Sequence, residues 1–187
     1  MISKKEVLKY LRTSSTVEDE SLSRLIEKYT RLAYEIKPKT IFEIFPIEIT
    51  GDSVKIAEIE FKSSRLAQNL NGCKKTVVFA ATLGTEADTL LRKAQAEGTA
   101  DVMVCQGVLA ARIEEVCDSL EEEIKASHGV KLRSRYSPGY YDLKLESQKD
   151  FFKLIDITKR IGVTLSENML MIPSKSVTAF IGIENEN

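Results

Sequence analysis

The chain has 187 residues, 43% of them hydrophobic and 29% charged, with a formal net charge of −1. That length fits one domain with a substantial core, with room for a short helical extension, and argues against two full domains. The balanced charge, the lack of a basic tail and the absence of Trp argue against a nucleic-acid polyanion as partner.

Met1-Ile2-Ser3-Lys4-Lys5-Glu6 carries lysines with no apolar stretch behind them, and no run approaches 18 apolar residues. Secretion and membrane spanning are therefore not expected. Ser3 and Glu6 have capping-box spacing, and Val7, Leu8 and Leu11 continue as a short apolar stripe, so a short helix is predicted there. A second helix is predicted from near Thr16, with Glu18, Asp19 and Glu20 favourable in its first turn. It carries Leu22, Leu25, Ile26, Tyr29, Leu32 and Ala33 on one face and stops before Pro38. Residues 1–37 read as an N-terminal helical extension and 38–187 as the main domain.

From Thr40 the apolar period changes to two. Ile41, Phe45, Ile47 and Ile49 run out, Gly51-Asp52 turns, and Val54, Ile56, Ile59 and Phe61 run back, which predicts an antiparallel hairpin. Ser63 to Leu70 reads as a short helix closed by Asn71-Gly72. Lys75 to Leu83 is a continuous apolar run typical of a buried strand. Gly84-Thr85 opens a further helix that closes near Gly98. Free N–H groups at such a strand-to-helix step attract anions, which makes Thr82-Leu83-Gly84-Thr85 a secondary candidate site. The longest helix is predicted from about Ala100 to Ser127 by Leu109, Ile113, Val116, Leu120 and Ile124, with Gly129 as terminator. Then follow a strand from Val130 to Tyr136, a helix from Gln148 to Arg160, and two strands, Val163 to Met171 and Val177 to Ile183. No repeat or low-complexity linker interrupts the chain. The fold class expected is α+β, a mainly antiparallel sheet flanked by helices, with short N-terminal helices.

Cys73, Cys105 and Cys117 are odd in number, with spacings of 32 and 12. This fits neither a disulfide framework nor a CxxC pair, so they read as reduced thiols of a cytoplasmic protein. His128, the single histidine, sits at a predicted helix end, where an exposed or capping role outweighs a catalytic one. In the strand before Tyr136, Lys131, Arg133 and Arg135 alternate with Val130, Leu132 and Ser134, placing three cations on one face. They call for anions. Acidic side chains of the preceding helix are one answer; a carboxylate-bearing ligand gripped by a guanidinium is the other. Ser137-Pro138-Gly139-Tyr140 has the chemistry of a type II turn, and Gly139, lacking Cβ, also lets a ligand approach the backbone.

Arg135-Tyr136-Ser137-Pro138-Gly139-Tyr140, then Ile161-Gly162 with Leu165-Ser166-Glu167, then Met171-Ile172-Pro173-Ser174-Lys175-Ser176-Val177 form an ordered set of motifs. In order and spacing they resemble the S-adenosylmethionine-binding activation domain of cobalamin-dependent methionine synthase. The resemblance covers residues 135 to 178 and extends more loosely upstream to about residue 100. It implies that Arg135 holds the methionine carboxylate of S-adenosylmethionine, with Ser137, Gly139 and Tyr140 in the binding turn and Tyr140 also directed toward the corrin. It further implies that Glu115, in Ala111-Arg112-Ile113-Glu114-Glu115, is the acidic ligand residue of the preceding helix; a solvated acidic face is the alternative. Three departures stand out. Tyr141-Asp142-Leu143-Lys144 replaces the family's frequent Pro-Ala-Cys-Pro, no counterpart of its N-terminal aspartate can be placed, and the chain ends at Asn187 before the family's tyrosine pair.

The sequence contains no Asp-x-His-x-x-Gly cobalamin loop and no zinc-thiolate site. The resemblance therefore implies a separately encoded activation subunit with no catalytic residue or metal ligand of its own. Its partner would be a cobalamin-dependent methionine synthase or related corrinoid protein that carries the cobalamin, with a flavodoxin-like electron donor. Such a subunit binds S-adenosylmethionine and supports reductive methylation of cob(II)alamin in trans. The alternative is a docking or regulatory module for a corrinoid protein that does not bind S-adenosylmethionine.

Overall fold

A computed structural model describes residues 2–11 and 20–184. Helix α1 (Lys4–Tyr10) starts on the capping box: the Ser3 hydroxyl accepts from the Glu6 N–H, and the Ser3 N–H donates to the Glu6 carboxylate at 2.7 Å. Helix α2 (Glu20–Glu35) follows. Its expected start at Thr16, with Glu18 and Asp19, lies outside the described residues.

Strand β1 (Lys39–Thr50) turns at Gly51 into β2 (Ser53–Ile56). The expected single return strand is two strands. After Ile56 the chain turns through Ala57, at φ 52°, and Glu58 into β3 (Ile59–Lys62), with Ile56 opposite Ile59. The apolar frame slips by one residue between 56 and 59, which is what a two-residue hairpin needs to keep both isoleucines on one face. Ser63 then caps α3 (Ser64–Leu70). Strand β4 (Lys75–Thr82), helix α4 (Thr85–Glu97) and the 30-residue α5 (Thr99–His128) come next. Gly129 closes α5 in the left-handed region, at φ 62°. His128 is exposed, edge-on to Phe42 with ring centroids 5.8 Å apart.

The stretch expected as a strand from Val130 to Tyr136 pairs only in part. Strand β5 (Lys131–Leu132) is regular, the Arg133 N–H still reaches the Gly182 carbonyl, and Tyr136 makes one further bridge to Phe180. The expected helix from Gln148 to Arg160 is also broken. Ile155 is extended (φ −135°), and Asp156 caps a new helix, separating α6 (Gln148–Leu154) from α7 (Ile157–Ile161). The expected strand from Val163 to Met171 is instead a small hairpin, β6 (Thr164–Leu165) against β7 (Met171–Ile172). Strand β8 (Ser176–Glu184) completes the main sheet.

The six strands lie in the order β3-β2-β1-β4-β8-β5, every neighbouring pair antiparallel. In β4 the side chains alternate between two cores. Val77, Phe79 and Ala81 face α1, α2, α4 and α5; Val78 and Ala80 face α3, α6 and α7. Burial on both faces explains why this strand reads as a continuous apolar run. Helices α1 and α2 contribute Val7, Leu8, Ile26, Tyr29 and Ala33 to the same core as α5. The three cysteines are buried, and burial pushes the thiols of Cys105 and Cys117 up to about 11 and about 12. None of the helices among the described residues is long and apolar enough to cross a membrane.

Candidate functional site

The site sits where the sheet runs out of a partner. Beyond the bridge from Tyr136 to Phe180, the outer edge of β8 at residues 176–179 has no neighbouring strand among the described residues. A groove of about 770 Å³ follows that edge. The turn after Tyr136 forms one wall, the β6–β7 hairpin the other, and Ser176, Val177 and Thr178 the floor. Segments 135–141, 166–172 and 174–178, distant in sequence, therefore converge on one cavity.

Ser137-Pro138-Gly139-Tyr140 forms the expected turn: the Tyr140 N–H donates to the Ser137 carbonyl at 3.2 Å, and Gly139 has φ 90°. The Gly139 N–H in turn reaches the Leu143 carbonyl at 2.8 Å. What holds this loop is Asp142. Its carboxylate accepts from Ser63 Oγ (2.5 Å), from Ser64 N and Oγ (2.8 and 2.7 Å) and from Arg65 N (3.3 Å). The Tyr141 ring stacks on Tyr136, with centroids 6.3 Å apart. Tyr141-Asp142-Leu143-Lys144 thus supplies an acidic clamp on the start of α3.

The hydrogen bonds from Ser63 and Ser64 hold the Asp142 carboxyl well below the usual carboxylate range. A depressed native pKa contributes stability that is present above about pH 4 and lost as the pH falls toward the native value. The melting temperature of Asp142→Asn should therefore lie below that of the wild type at neutral pH. The gap should close on acidification below about pH 4. A gap that stays constant across the range would take the carboxylate out of this role.

Arg135 and Arg133 do not share a face. Arg133 turns to α3, where it donates to the Asn69 carbonyl at 2.7 Å, while Arg135 turns to α5. Only Lys131 and Leu132 are in regular pairing, so strand alternation does not carry as far as Arg135, and the expected shared face of Lys131, Arg133 and Arg135 is not formed. Three carboxylates at one-turn spacings along α5 answer the Arg135 guanidinium. Glu114 lies 2.9 Å from Nη2, with Asp118 and Glu121 2.8 and 2.9 Å from Nη1. Nη1 thus stands at ion-pair distance from both Asp118 and Glu121. Burial pushes the Glu121 carboxyl up, against the pull of Arg135.

Of the residues singled out in the sequence, Arg135, Ser137 and Tyr140 line the groove, and Gly139 shapes the turn behind it. Glu115 is not brought there. Its carboxylate accepts from the Tyr34 hydroxyl at 2.7 Å, pairs with Arg112 at 2.7 Å, and lines a separate cleft between α1 and α5. The adjacent Glu114 lines both that cleft and the groove. The i, i+4, i+7 spacing of Glu114, Asp118 and Glu121 is a sequence signal that points to a shared cation. Gln148, 3% exposed and hydrogen-bonded to Thr178, also lines the groove and carries no such signal. The Thr82–Thr85 step does not line the groove. The Gly84 N–H donates to Thr82 Oγ1, and Asp88, in the first turn of α4, accepts from Ser174.

An open-edged antiparallel sheet between two helical layers, with a groove along the free edge of β8, defines an activation-domain-like α+β protein. Among solved structures, the chain is similar to the MetH reactivation domain bound to AdoHcy, with a TM-score of 0.68 and 16% identity, over 100% of this chain and 71% of that one. The family model for the activation domain of vitamin B12-dependent methionine synthase matches residues 63–187, and the chain belongs to that family. A search of curated proteins finds no match.

Proposed function

We propose that this protein binds S-adenosylmethionine in the β8-edge groove and presents it to cobalamin carried by a partner. The partner is a cobalamin-dependent methionine synthase or related corrinoid protein, acted on in trans, with a flavodoxin-like protein as electron donor. The observation that carries this reading is the convergence of the motif segments on one largely apolar groove of ligand size. S-adenosylmethionine supplies the methyl group that returns an oxidised, reduced-again cobalamin to its active form. The chain contributes position and cover.

In this reading Arg135 receives the ligand carboxylate, which takes the place of Glu114 on the guanidinium, because Glu114 is the member of the acidic triad that lines the groove. Ser137 and Gly139 present the turn to the ligand. Tyr140 (63% exposed), Tyr141 (84%), Leu170 (61%) and Ile172 (51%) form an apolar rim suited to the face of a corrin or its carrier. Titration with S-adenosylmethionine by calorimetry tests the reading, and saturable binding is expected.

One observation favours a second reading. The Arg135 guanidinium is already held by three carboxylates of its own chain, so a docking module that uses the apolar rim without S-adenosylmethionine is consistent with the same geometry. Absence of binding at millimolar ligand, with capture by a cobalamin-loaded partner retained, would select it.

A further inference from the structure

The sheet has a second open edge, on the far side of β4 from the groove. Strand β1 pairs with β4 from Lys39 to Pro46 and with β2 only from Ile47 to Thr50. The chain turns away from β1 at Ala57, so the outer side of β1 from Lys39 to Phe45 has no neighbouring strand among the described residues. The Ile47 N–H donates to the Lys74 carbonyl at 3.1 Å, which fixes the parity of the strand. Odd-numbered residues turn their N–H and C=O to β4, and the even-numbered Thr40, Phe42 and Ile44 turn theirs outward. Pro46, the next even residue, has no N–H and closes this edge at one end.

Both faces beside the edge are covered. Ile41 shares a core with Ile157 and Ile161 of α7, while Phe42 and Ile44 pack against the core that contains α5. Lys39, Thr40 and Glu43 are exposed. The ionic partner of Glu43 within the chain is Arg160, 3.7 Å away and itself 61% exposed. Thr40-Ile41-Phe42-Glu43-Ile44-Phe45 is rich in β-branched and aromatic residues, and an open edge of that composition is a template for another strand.

The charges identify the strand that fits. Lys39, Ile41 and Glu43 share one face of β1, so the segment is complementary to its own reversed copy. An added antiparallel copy has to set outward-facing residues opposite one another, which leaves registers centred on Ile41, Phe42 or Glu43. With Ile41 on the twofold axis, each Lys39 stands opposite Glu43 of the other copy, and each Thr40 exchanges both main-chain hydrogen bonds with Phe42. With Phe42 on the axis, Glu43 meets the apolar Ile41. With Glu43 on the axis, the two Glu43 side chains meet each other, and Pro46 spoils the pairing of Thr40.

We propose that this edge is a homodimer interface in which two copies pair their β1 strands antiparallel about Ile41, with reciprocal Lys39–Glu43 ion pairs at its ends. The ladder holds about four main-chain hydrogen bonds, which places the association in the small, reversible class. The interface is separate from the β8 groove and does not depend on what that groove binds.

Sedimentation of the full chain over a range of concentrations tests it. The wild type should show a reversible monomer–dimer equilibrium. Lys39→Glu and Glu43→Lys each set like charges opposite one another at both ends, and each should weaken the dimer by at least about fivefold. Both side chains are exposed, so the variants should keep the fold, which their melting temperatures check. An equimolar mixture of the two variants restores opposite charges at both ends and should form a heterodimer tighter than either variant forms alone. A wild type that stays monomeric up to about millimolar concentration overturns the proposal and leaves the edge to a strand of another protein or to solvent. A dimer indifferent to both charge changes, or a mixture no tighter than its components, overturns the pairing about Ile41.

Discussion

Replacing Arg135 with alanine is expected to lower stability by about 1–3 kcal/mol and to abolish saturable S-adenosylmethionine binding. The size of the first effect follows from the company the guanidinium keeps. Its side chain is 24% exposed and balances Glu114, Asp118 and Glu121, of which Glu121 is 17% exposed. Without the cation, three carboxylates on one face of α5 repel one another, and one of them is largely out of water. An exposed ion pair contributes about 1 kcal/mol or less and the loss of one partner of a buried pair costs about 3–5, so this half-buried cluster falls between.

The alanine variant therefore mixes two effects, and a second variant separates them. Arg135→Gln combined with Glu121→Gln removes the cation together with the acid least able to stand alone. It should recover much of the melting temperature while still failing to bind the ligand. Chemical denaturation and calorimetry on the same preparations supply both readouts. Wild-type ligand affinity in Arg135→Ala would remove the arginine from the binding site, whatever happens to stability.

The second large effect is expected far from the groove. A Cβ built on Gly182 of β8 lies 2.7 Å from Cys73 Sγ, 3.1 Å from Leu70 Cδ2 and 3.3 Å from Arg133 Cδ. Gly182→Ala must therefore displace Cys73 Sγ and crowd Leu70 and Arg133, at a cost of about 1–3 kcal/mol. In a chain of this length each kcal/mol corresponds to about 2–4 °C in melting temperature. Removing the sulfur should relieve the clash, so the double variant Gly182→Ala, Cys73→Ala should be more stable than Gly182→Ala alone. A double-mutant cycle with no coupling between the two positions would show that the strain lies elsewhere.

How much of this was legible beforehand depended on the kind of signal. The long α5, the doubly buried β4 and the β8 strand carry periodic apolar patterns over eight or more residues, and each was predicted to within a few residues. The elements misread were those whose ends are set by one residue. The turn at Ala57-Glu58 was announced by a one-residue slip between Ile56 and Ile59, and the break in the helix after Leu154 by Asp156, a capping residue inside an apolar run. The β6–β7 hairpin had little to announce it, because each strand is two residues long.

At the site, the family motifs located the turn and its arginine, but not the direction in which the arginine points. Alternation placed Lys131, Arg133 and Arg135 together, and it failed because regular pairing ends at Leu132. Glu115 and Glu114 are adjacent on one helix, and about 100° of rotation separates a residue facing Tyr34 from one facing the groove. Only tertiary packing fixes that rotation. Gln148 lies one turn before the buried Phe151 at the start of α6, where a polar residue reads as a helix start. Its hydrogen-bond partner is Thr178, thirty residues away.

The shared core of α1, α2 and α5 bears on how the protein can be divided. The family's recognisable stretch begins at residue 63, yet Val7, Leu8, Ile26, Tyr29 and Ala33 share one core with α5, and Gly107 of α5 leaves just enough room for Leu11, whose Cδ2 would stand 3.1 Å from an added Cβ. The boundary of the sequence signature is therefore not a boundary of folding. A graft of residues 63–187 onto another protein would transplant the groove together with a thirty-residue helix stripped of the α1 and α2 side chains it packs with, and would lack β1, the central neighbour of β4. For this chain the portable unit is the whole arrangement, and the groove travels only with its N-terminal helices and first hairpin attached.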